Sequence, residues 1–142
     1  MSEHVLVPFD GSPLSERALE RVCTRHPDDD VTVLCVIDPI DAVYEAEAKG
    51  LGAAESWVER ATAEAEARLE RAEALAADHG VAVTTAVEHG KPASEILDYV
   101  GAHAVDHVVM GSHGRKGASR LLLGSVAERV MRGSPVPVTV VR

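Results

Sequence analysis

Short apolar runs alternate with segments of helical periodicity along this 142-residue chain. The runs are rich in valine, leucine and isoleucine, and the segments between them repeat apolar residues at steps of three or four. Strict alternation with short links predicts an α/β fold, a doubly wound parallel sheet of five strands with right-handed crossovers and helices on both faces. The predicted strands cover 4–9, 31–37, 81–87, 105–110 and 136–141.

Four predicted helices connect these strands. Ser12 suits the N-cap of the first helix and Pro13 its first helical position. The longest helix carries many acids and arginines, which are interpreted as a solvated face with intrahelical pairs. Residues 38–54 have a mixed pattern, so a surface excursion with a short helix is expected there. The predicted helices cover 13–26, 55–79, 92–100 and 122–132.

Composition narrows the class of function. A hydrophobic content of 46% and a charged content of 26% fit one soluble globular domain over residues 1–142. Aromatic residues make up only 3%, which argues against a stacking platform for nucleic acid. The net charge of −9 disfavours non-specific binding to DNA, RNA or an anionic membrane.

Cysteine usage and the absence of long apolar runs indicate the compartment. Cys23 and Cys35 lie in apolar patterns and are not spaced as metal ligands, so buried, reduced thiols are expected. Neither a signal segment nor a run of membrane-spanning length is visible. We therefore expect a cytoplasmic protein with no membrane or nucleic-acid partner.

A glycine-rich run follows the fourth predicted strand. Gly111 and Gly114 are separated by two residues, and Gly124-Ser125 follows after nine more, where a helix is predicted. This arrangement aims backbone N–H groups and a helix N-terminus into one small volume, which suits an anion such as phosphate. A structural alternative is that Ser125 is only the N-cap of the helix, but that leaves the upstream glycines unexplained.

Asp10 lies in the loop after the first predicted strand. Ligands of doubly wound sheets bind at the carboxyl ends of the strands where the strand order reverses. With the first strand in the centre, that crevice lies between strands one and four, and Asp10 faces the glycine-rich run. A carboxylate accepts hydrogen bonds from sugar hydroxyls and N–H groups suit phosphates, so together they indicate a nucleotide. The alternative is that Asp10 only caps the first helix or its turn.

Motifs along the whole chain resemble those of the universal stress protein family, in its ATP-binding branch. They include the glycine spacing just described and the opening Val-Pro-Phe-Asp-Gly-Ser. The resemblance implies an adenine-nucleotide-binding fold of the adenine nucleotide alpha hydrolase-like type, with strand order 3-2-1-4-5. The segments that carry it are 7–12, 36–38, 110–115, 123–128 and 135–138.

The resemblance implies a role for each residue whose position matches the family's motif. Asp10 would bind the ribose hydroxyls, with Pro8 beside it, and Val36 and Met110 would line the adenine pocket. The glycines would wrap the phosphates, and Val126 would add a backbone N–H at the start of the helix. The predicted nucleotide-binding residues are Pro8, Asp10, Val36, Met110, Gly111, Ser112, His113, Gly114, Arg115, Gly124, Ser125 and Val126.

The resemblance also implies cofactors and a partner. The ligand would be ATP, ADP or AMP, with Mg²⁺ or Mn²⁺ on the phosphates, although no set of protein ligands for a metal is visible. A regulatory role in the stress response follows from the family. The resemblance also implies a homodimer through 136–141, which would cover an apolar strand edge. The alternative is a monomer in which Pro137 partly protects that edge.

Two other classes of protein compete with this interpretation. The segment 9–15 weakly resembles the phosphate loop of ATP-pyrophosphatase-type ligases. The alternative is therefore a nucleotide-dependent hydrolase or ligase with slow ATP turnover. No Ser/His/acid or Cys/His arrangement is visible, and no catalytic residue is predicted. A pure interaction module with a vestigial pocket is the third class, and the intact glycine spacing argues against it.

Overall fold

The computed structural model of the protein describes residues 2–114 and 123–142. Its strands are β1 (His4–Pro8), β2 (Asp30–Ile37), β3 (Thr84–His89), β4 (His107–Gly111) and β5 (Val138–Val141). Its helices are α1 (Pro13–Arg25), α2 (Ile40–Lys49), α3 (Leu51–Asp78), α4 (Pro92–Ala102) and α5 (Ser125–Gly133). The strands form one parallel sheet in the order β3-β2-β1-β4-β5, which confirms the predicted fold class and strand order.

The central strand β1 pairs with β2 on one side and with β4 on the other. Its last residue is Pro8, one residue before the predicted end at 9, and proline has no N–H to donate to the ladder. The chain leaves the sheet at β3, on one edge, and re-enters at β4, on the far side of β1. The order of the strands therefore reverses between β1 and β4, and the crevice opens above their carboxyl ends.

Alternate residues of the central strands face two separate cores. Val5 and Val7 of β1 point into a core that α1 and α3 cover, whereas Leu6 points into a core that α4 and α5 cover. All three side chains are fully buried. Burial on both faces explains why these strands are uninterrupted apolar runs in the sequence.

The region after β2 contains the expected short helix, α2. The helix α3 follows almost at once and begins at Leu51 rather than at 55, so little of the expected surface excursion remains. Of α2 only Ala42 is buried, while Tyr44 is 60% exposed, so no apolar stripe marks the helix in the sequence. Gly50 separates the two helices with a φ of 95°, a conformation that glycine adopts without strain.

Strand β3 begins at Thr84, three residues after the predicted start. Val81 is buried and apolar, but its N–H donates to the carbonyl of Ala76 at 2.9 Å. Val81 thus completes the C-terminal turn of α3 instead of starting a strand. The predicted fourth helix began at Leu122, which lies outside the described residues.

Two further expectations can be compared with the structure. Cys23 and Cys35 are both buried free thiols, as the sequence indicated. Among residues 2–114 and 123–142, no helix combines the length and the apolar character that crossing a bilayer requires.

Candidate functional site

A cavity of about 560 Å³ opens above the carboxyl ends of β1, β2 and β4. Its volume is in the range of pockets that hold small molecules. The loop after β1, the loop after β4, and the beginnings of α1, α4 and α5 all contribute to its wall. The lining residues are Pro8, Phe9, Asp10, Ser12, Ser15, Leu34, Val36, Arg68, Pro92, Ile96, Met110, Gly111, His113, Gly114, Gly124, Ser125, Val126 and Ala127.

The loop after β1 places a carboxylate at the mouth of the cavity. Asp10 Oδ1 accepts a hydrogen bond from the backbone N–H of Ser12 at 3.0 Å, which fixes a tight turn. Gly11 makes the turn with a φ of 79°. Ser12 then caps α1, its Oγ accepting from the N–H of Ser15 at 3.3 Å. Asp10 therefore shapes the turn and faces the cavity, while Ser12 is the cap of the helix.

The loop after β4 starts at Gly111, where α1 approaches closely. A Cβ at this position would lie 2.8 Å from the Cβ of Leu14, so only glycine lets the start of α1 lie against β4. Ser112 follows and is buried, and its N–H donates to the carbonyl of Val141 at 2.8 Å. This hydrogen bond commits the Ser112 N–H to β5, away from any ligand in the cavity.

Gly114 brings the two loops together. A Cβ on Gly114 would collide with the carboxylate oxygen Oδ2 of Asp10. A larger residue there would require the Asp10 carboxylate to turn away or the loop to shift. The predicted juxtaposition of Asp10 with the glycine-rich run is therefore what the fold produces, and the second glycine of the run is the residue that permits it.

The start of α5 presents backbone N–H groups to the cavity. Gly124 is the N-cap, and no side chain caps the helix. The first N–H groups of a helix have no partner within the helix, and here Ser125, Val126 and Ala127 all line the cavity. Together with the helix dipole they favour an anion at this point. Gly124 itself donates to the carbonyl of Ser112 at 2.6 Å, which fixes α5 against the β4 loop.

The opposite wall is apolar and comes from the core that α4 and α5 cover. Val36 and Met110 lie at the ends of β2 and β4, and Pro92 and Ile96 come from the first turns of α4. Met110 and Ile96 are almost fully buried. Such a wall suits the flat apolar face of a heterocyclic base.

A cation also lines the cavity, and it comes from the long helix α3. The side chain of Arg68 is only 17% exposed, and its Nη2 lies 3.4 Å from Oε2 of Glu64. Its guanidinium lies close enough to Cys35 on β2 to act on the pKa of that thiol. Burial raises the pKa of the Cys35 thiol, and the charge of Arg68 opposes that shift.

Ten of the residues predicted from the sequence line this one cavity. Ser112 is described but lies behind the wall, and Arg115 lies outside the described residues, as do Lys116 and Arg120. Sequence reasoning missed Arg68 because the charged positions of α3 were assigned to a solvated face. It also missed Ile96, although its apolar spacing marked it as facing the sheet. The one available signal for Arg68 was its position between Ala65 and Leu69, which are both buried.

The sequence was compared with protein families and with curated proteins. A sequence profile of the universal stress protein family matches residues 1–142. Universal stress protein MJ0531 of Methanocaldococcus jannaschii is 34% identical over 143 residues, covering 97% of this chain and 81% of that protein. Against several other curated relatives the chain spans only about half of their length.

Solved structures share the fold over almost the whole chain. The structure of protein MJ0577 of Methanocaldococcus jannaschii superposes with a TM-score of 0.84 at 31% identity, covering 99% of this chain and 96% of that one. Two structures of lower identity contain adenine nucleotides. A universal stress protein of Archaeoglobus fulgidus in complex with dAMP gives a TM-score of 0.71 at 19% identity, covering 100% of this chain and 98% of that one. An Arabidopsis thaliana family member with AMP bound gives 0.68 at 18% identity, covering 97% and 90%.

The sheet order, the position of the cavity and these matches agree with one another. The sequence match extends over the full length of the chain and so does the structural likeness. The chain belongs to the universal stress protein family.

Proposed function

We propose that this protein binds an adenine nucleotide in the cavity between the β1 and β4 loops. The observation that carries the proposal is that an α5 N-terminus without a side-chain cap, a carboxylate and an apolar wall meet in one cavity. These are the groups that a phosphate, a sugar and a base require. Adenine nucleotides in relatives of the same fold support the choice of base.

The ligand is oriented by the chemistry of the walls. The base lies on Val36 and Met110, the ribose hydroxyls donate to Asp10, and the phosphate accepts from the N–H groups of Ser125 and Val126. His113 and Gly114 close the cavity near the phosphate. This orientation matches each part of the nucleotide with the wall that lowers its free energy.

A divalent metal would come with the phosphates. Of the described cavity residues, Asp10 is the single carboxylate, and it is assigned to the ribose, so Mg²⁺ would be held by phosphate oxygens and water. Glu3, His26 and Asp29 form a group with metal-ligand spacing, but they lie near the amino ends of β1 and β2, at the opposite end of the strands from the cavity. Bound Mg²⁺ or Mn²⁺ would neutralise phosphate charge.

The test uses two variants of nearly the same size. Ser125→Asp places a carboxylate where the phosphate would bind, while a negative charge at a helix N-terminus stabilises α5. Ser125→Asn is the neutral control. By calorimetric titration we expect Ser125→Asp to lose at least about tenfold in affinity for AMP, ADP or ATP, because like charges meet in the site. Ser125→Asn should keep most of the affinity of the wild type.

Two outcomes would overturn the proposal. One is a wild-type protein that binds none of the three nucleotides at millimolar concentration. The other is an unchanged affinity in Ser125→Asp, since a phosphate on the α5 N-terminus cannot tolerate that charge. Incubation with ATP in the same experiment measures turnover, and several turnovers per minute would favour the hydrolase or ligase class instead.

We propose that the nucleotide acts by linkage, as suits a stress-response regulator. A ligand that binds only the folded protein stabilises it by about 2.7 kcal/mol at a hundredfold excess over Kd. A ligand held between the β1 and β4 loops would present a different surface to a partner. A cytoplasmic location is proposed because both cysteines are free thiols, which is usual in a reducing compartment. Cell fractionation tests it.

We also propose that two copies pair through β5. This strand is at the edge of the sheet, and the carbonyls of Pro137 and Val141 face β4, accepting from Val108 and Ser112. The intervening N–H of Val140 therefore points to the open edge. Light scattering should find a dimer for the wild type and a monomer for Val140→Pro. A wild type that stays monomeric at high concentration would refute the dimer.

A further inference from the structure

Arg68 gives the cavity a positive charge on the side of β2. The stem of Arg68 lies against Gly11, where a Cβ would be 3.3 Å from both Cγ and Cδ of the arginine. The guanidinium acts on the pKa of Cys35, the neighbour of Val36, and its Nη2 lies 3.4 Å from Glu64 Oε2. The side chain thus packs against Gly11 by its stem, and the residue lines the cavity.

Arg68 and the α5 N-terminus belong to different parts of the cavity wall. The stem of Arg68 lies against Gly11, beside Asp10 in the loop after β1, whereas α5 follows the β4 loop. The part of a nucleotide that is bound at Asp10 is therefore the part that lies beside Arg68.

Arg68 is weakly engaged by its protein neighbours. Its hydrogen bond to Glu64 is long, at 3.4 Å, and Glu64 is itself 64% exposed. A thiol is a weak acceptor for a guanidinium. An arginine held this way, mostly out of water and lining a cavity, is suited to an anionic ligand.

We propose that Arg68 binds a second phosphate carried by the ribose, so that the cavity prefers adenine nucleotides phosphorylated on the 2′ or 3′ oxygen. The inference rests on the proposed function, which places the ribose at Asp10. The 5′-phosphate occupies the α5 N-terminus, the remaining ribose hydroxyl donates to Asp10, and the ribose phosphate meets Arg68. Specificity thus comes from a residue outside the glycine-rich run.

The experiment compares four ligands by calorimetric titration: AMP, adenosine 2′,5′-bisphosphate, adenosine 3′,5′-bisphosphate and ATP. We expect the wild type to bind one of the two bisphosphates at least about tenfold more tightly than AMP, the size of effect given by a charge-assisted hydrogen bond. Arg68→Met keeps the stem against Gly11 and removes the charge. It should abolish this preference, because it lowers the affinity for the bisphosphate more than the affinity for AMP.

Arg71→Met is the matched control. Arg71 lies one turn further along α3 and also approaches Gly11, but it is exposed and does not line the cavity. It should retain the preference for the bisphosphate, whereas Arg68→Lys should retain it in part. AMP binding in each variant reports that the cavity is intact.

Three results would overturn the inference. A wild type that binds AMP and both bisphosphates equally refutes it while the proposed function stands. Arg68→Met losing AMP affinity as strongly as bisphosphate affinity makes Arg68 a general wall residue. A loss confined to ATP assigns Arg68 to the polyphosphate tail. If no adenine nucleotide binds at all, the proposed function fails, and this inference fails with it.

Discussion

Replacing Gly124 with alanine would place a methyl group against the backbone of the β4 loop. The new Cβ would lie 2.8 Å from the carbonyl oxygen of Ser112 and 3.0 Å from the Cα of His113. Both are backbone atoms that no rotamer change can move. The backbone of Gly124 itself is unstrained, with a φ of −63°, so the penalty comes from the close approach alone.

The magnitude follows from the distances. Normal contact begins near roughly 3.5 Å, so the loop must shift by about half an ångström, and the 2.6 Å hydrogen bond from Gly124 to Ser112 is lost or stretched. Overpacking of this kind costs about 1–3 kcal/mol. In a domain of this size each kcal/mol lowers Tm by roughly 3 °C, so we expect a fall of roughly 3–10 °C.

Thermal unfolding followed by circular dichroism measures this shift, with Gly101→Ala as the control. Gly101 lies in α4, and among the described residues no atom outside its own stretch of helix lies within 4 Å of the point that its new methyl group would occupy, so alanine there should leave Tm unchanged or raise it slightly. A Gly124→Ala protein that melts within about 1 °C of the wild type would refute the close-approach argument. The glycine would then be retained for the ligand and not for the fold.

Three further outcomes are expected. Ser12→Ala should lower the free energy of unfolding in urea by about 0.5–2 kcal/mol, because Ser12 Oγ caps α1 at the N–H of Ser15; no loss would contradict that role. Burial raises the pKa of the Cys35 thiol, so iodoacetamide at about pH 8 should label Cys35 far more slowly in the folded than in the denatured protein. Mass spectrometry measures the two labelling rates, and equal rates would contradict this. Burial lowers the pKa of His107 in the folded protein, and the charge of His26 lowers it further. As the pH falls through about 6.5, this imidazole is therefore protonated in the unfolded chain before it is protonated in the folded one. Stability should therefore decrease until the pH is below the folded pKa, and His107→Gln should make that decrease shallower in urea titrations at several pH values.

The sheet could be predicted because its strands are buried on both faces. Runs such as Val31 to Ile37 cannot be exposed without a large cost, so they predict strands that helices cover on both faces. The strand order 3-2-1-4-5 is what the family resemblance implies, and it puts the carboxyl ends of β1 and β4 side by side. The approach of Asp10 to the glycine-rich run follows from that order, and in the structure Gly114 makes the contact.

Features that depend on side-chain reach could not be inferred from the pattern. Arg68 occupies a charged position on a long helix, and only its approach to Gly11 makes it a cavity residue. The N–H of Ser112 is likewise used by β5, which is a consequence of strand register and not of motif spacing. The bounds of α2 could not be inferred because several of its apolar residues are exposed, so burial does not follow the helical period there.

The contact between Asp10 and Gly114 joins segments that are far apart along the chain. Contacts of such high sequence separation form late, because the entropy of closing the intervening loops is lost before the contact is made. The cavity therefore does not exist until β4 has paired with β1, and no shorter folding unit contains it. Its assembly requires that the whole doubly wound sheet has closed, and a ligand bound there selects chains that have completed folding.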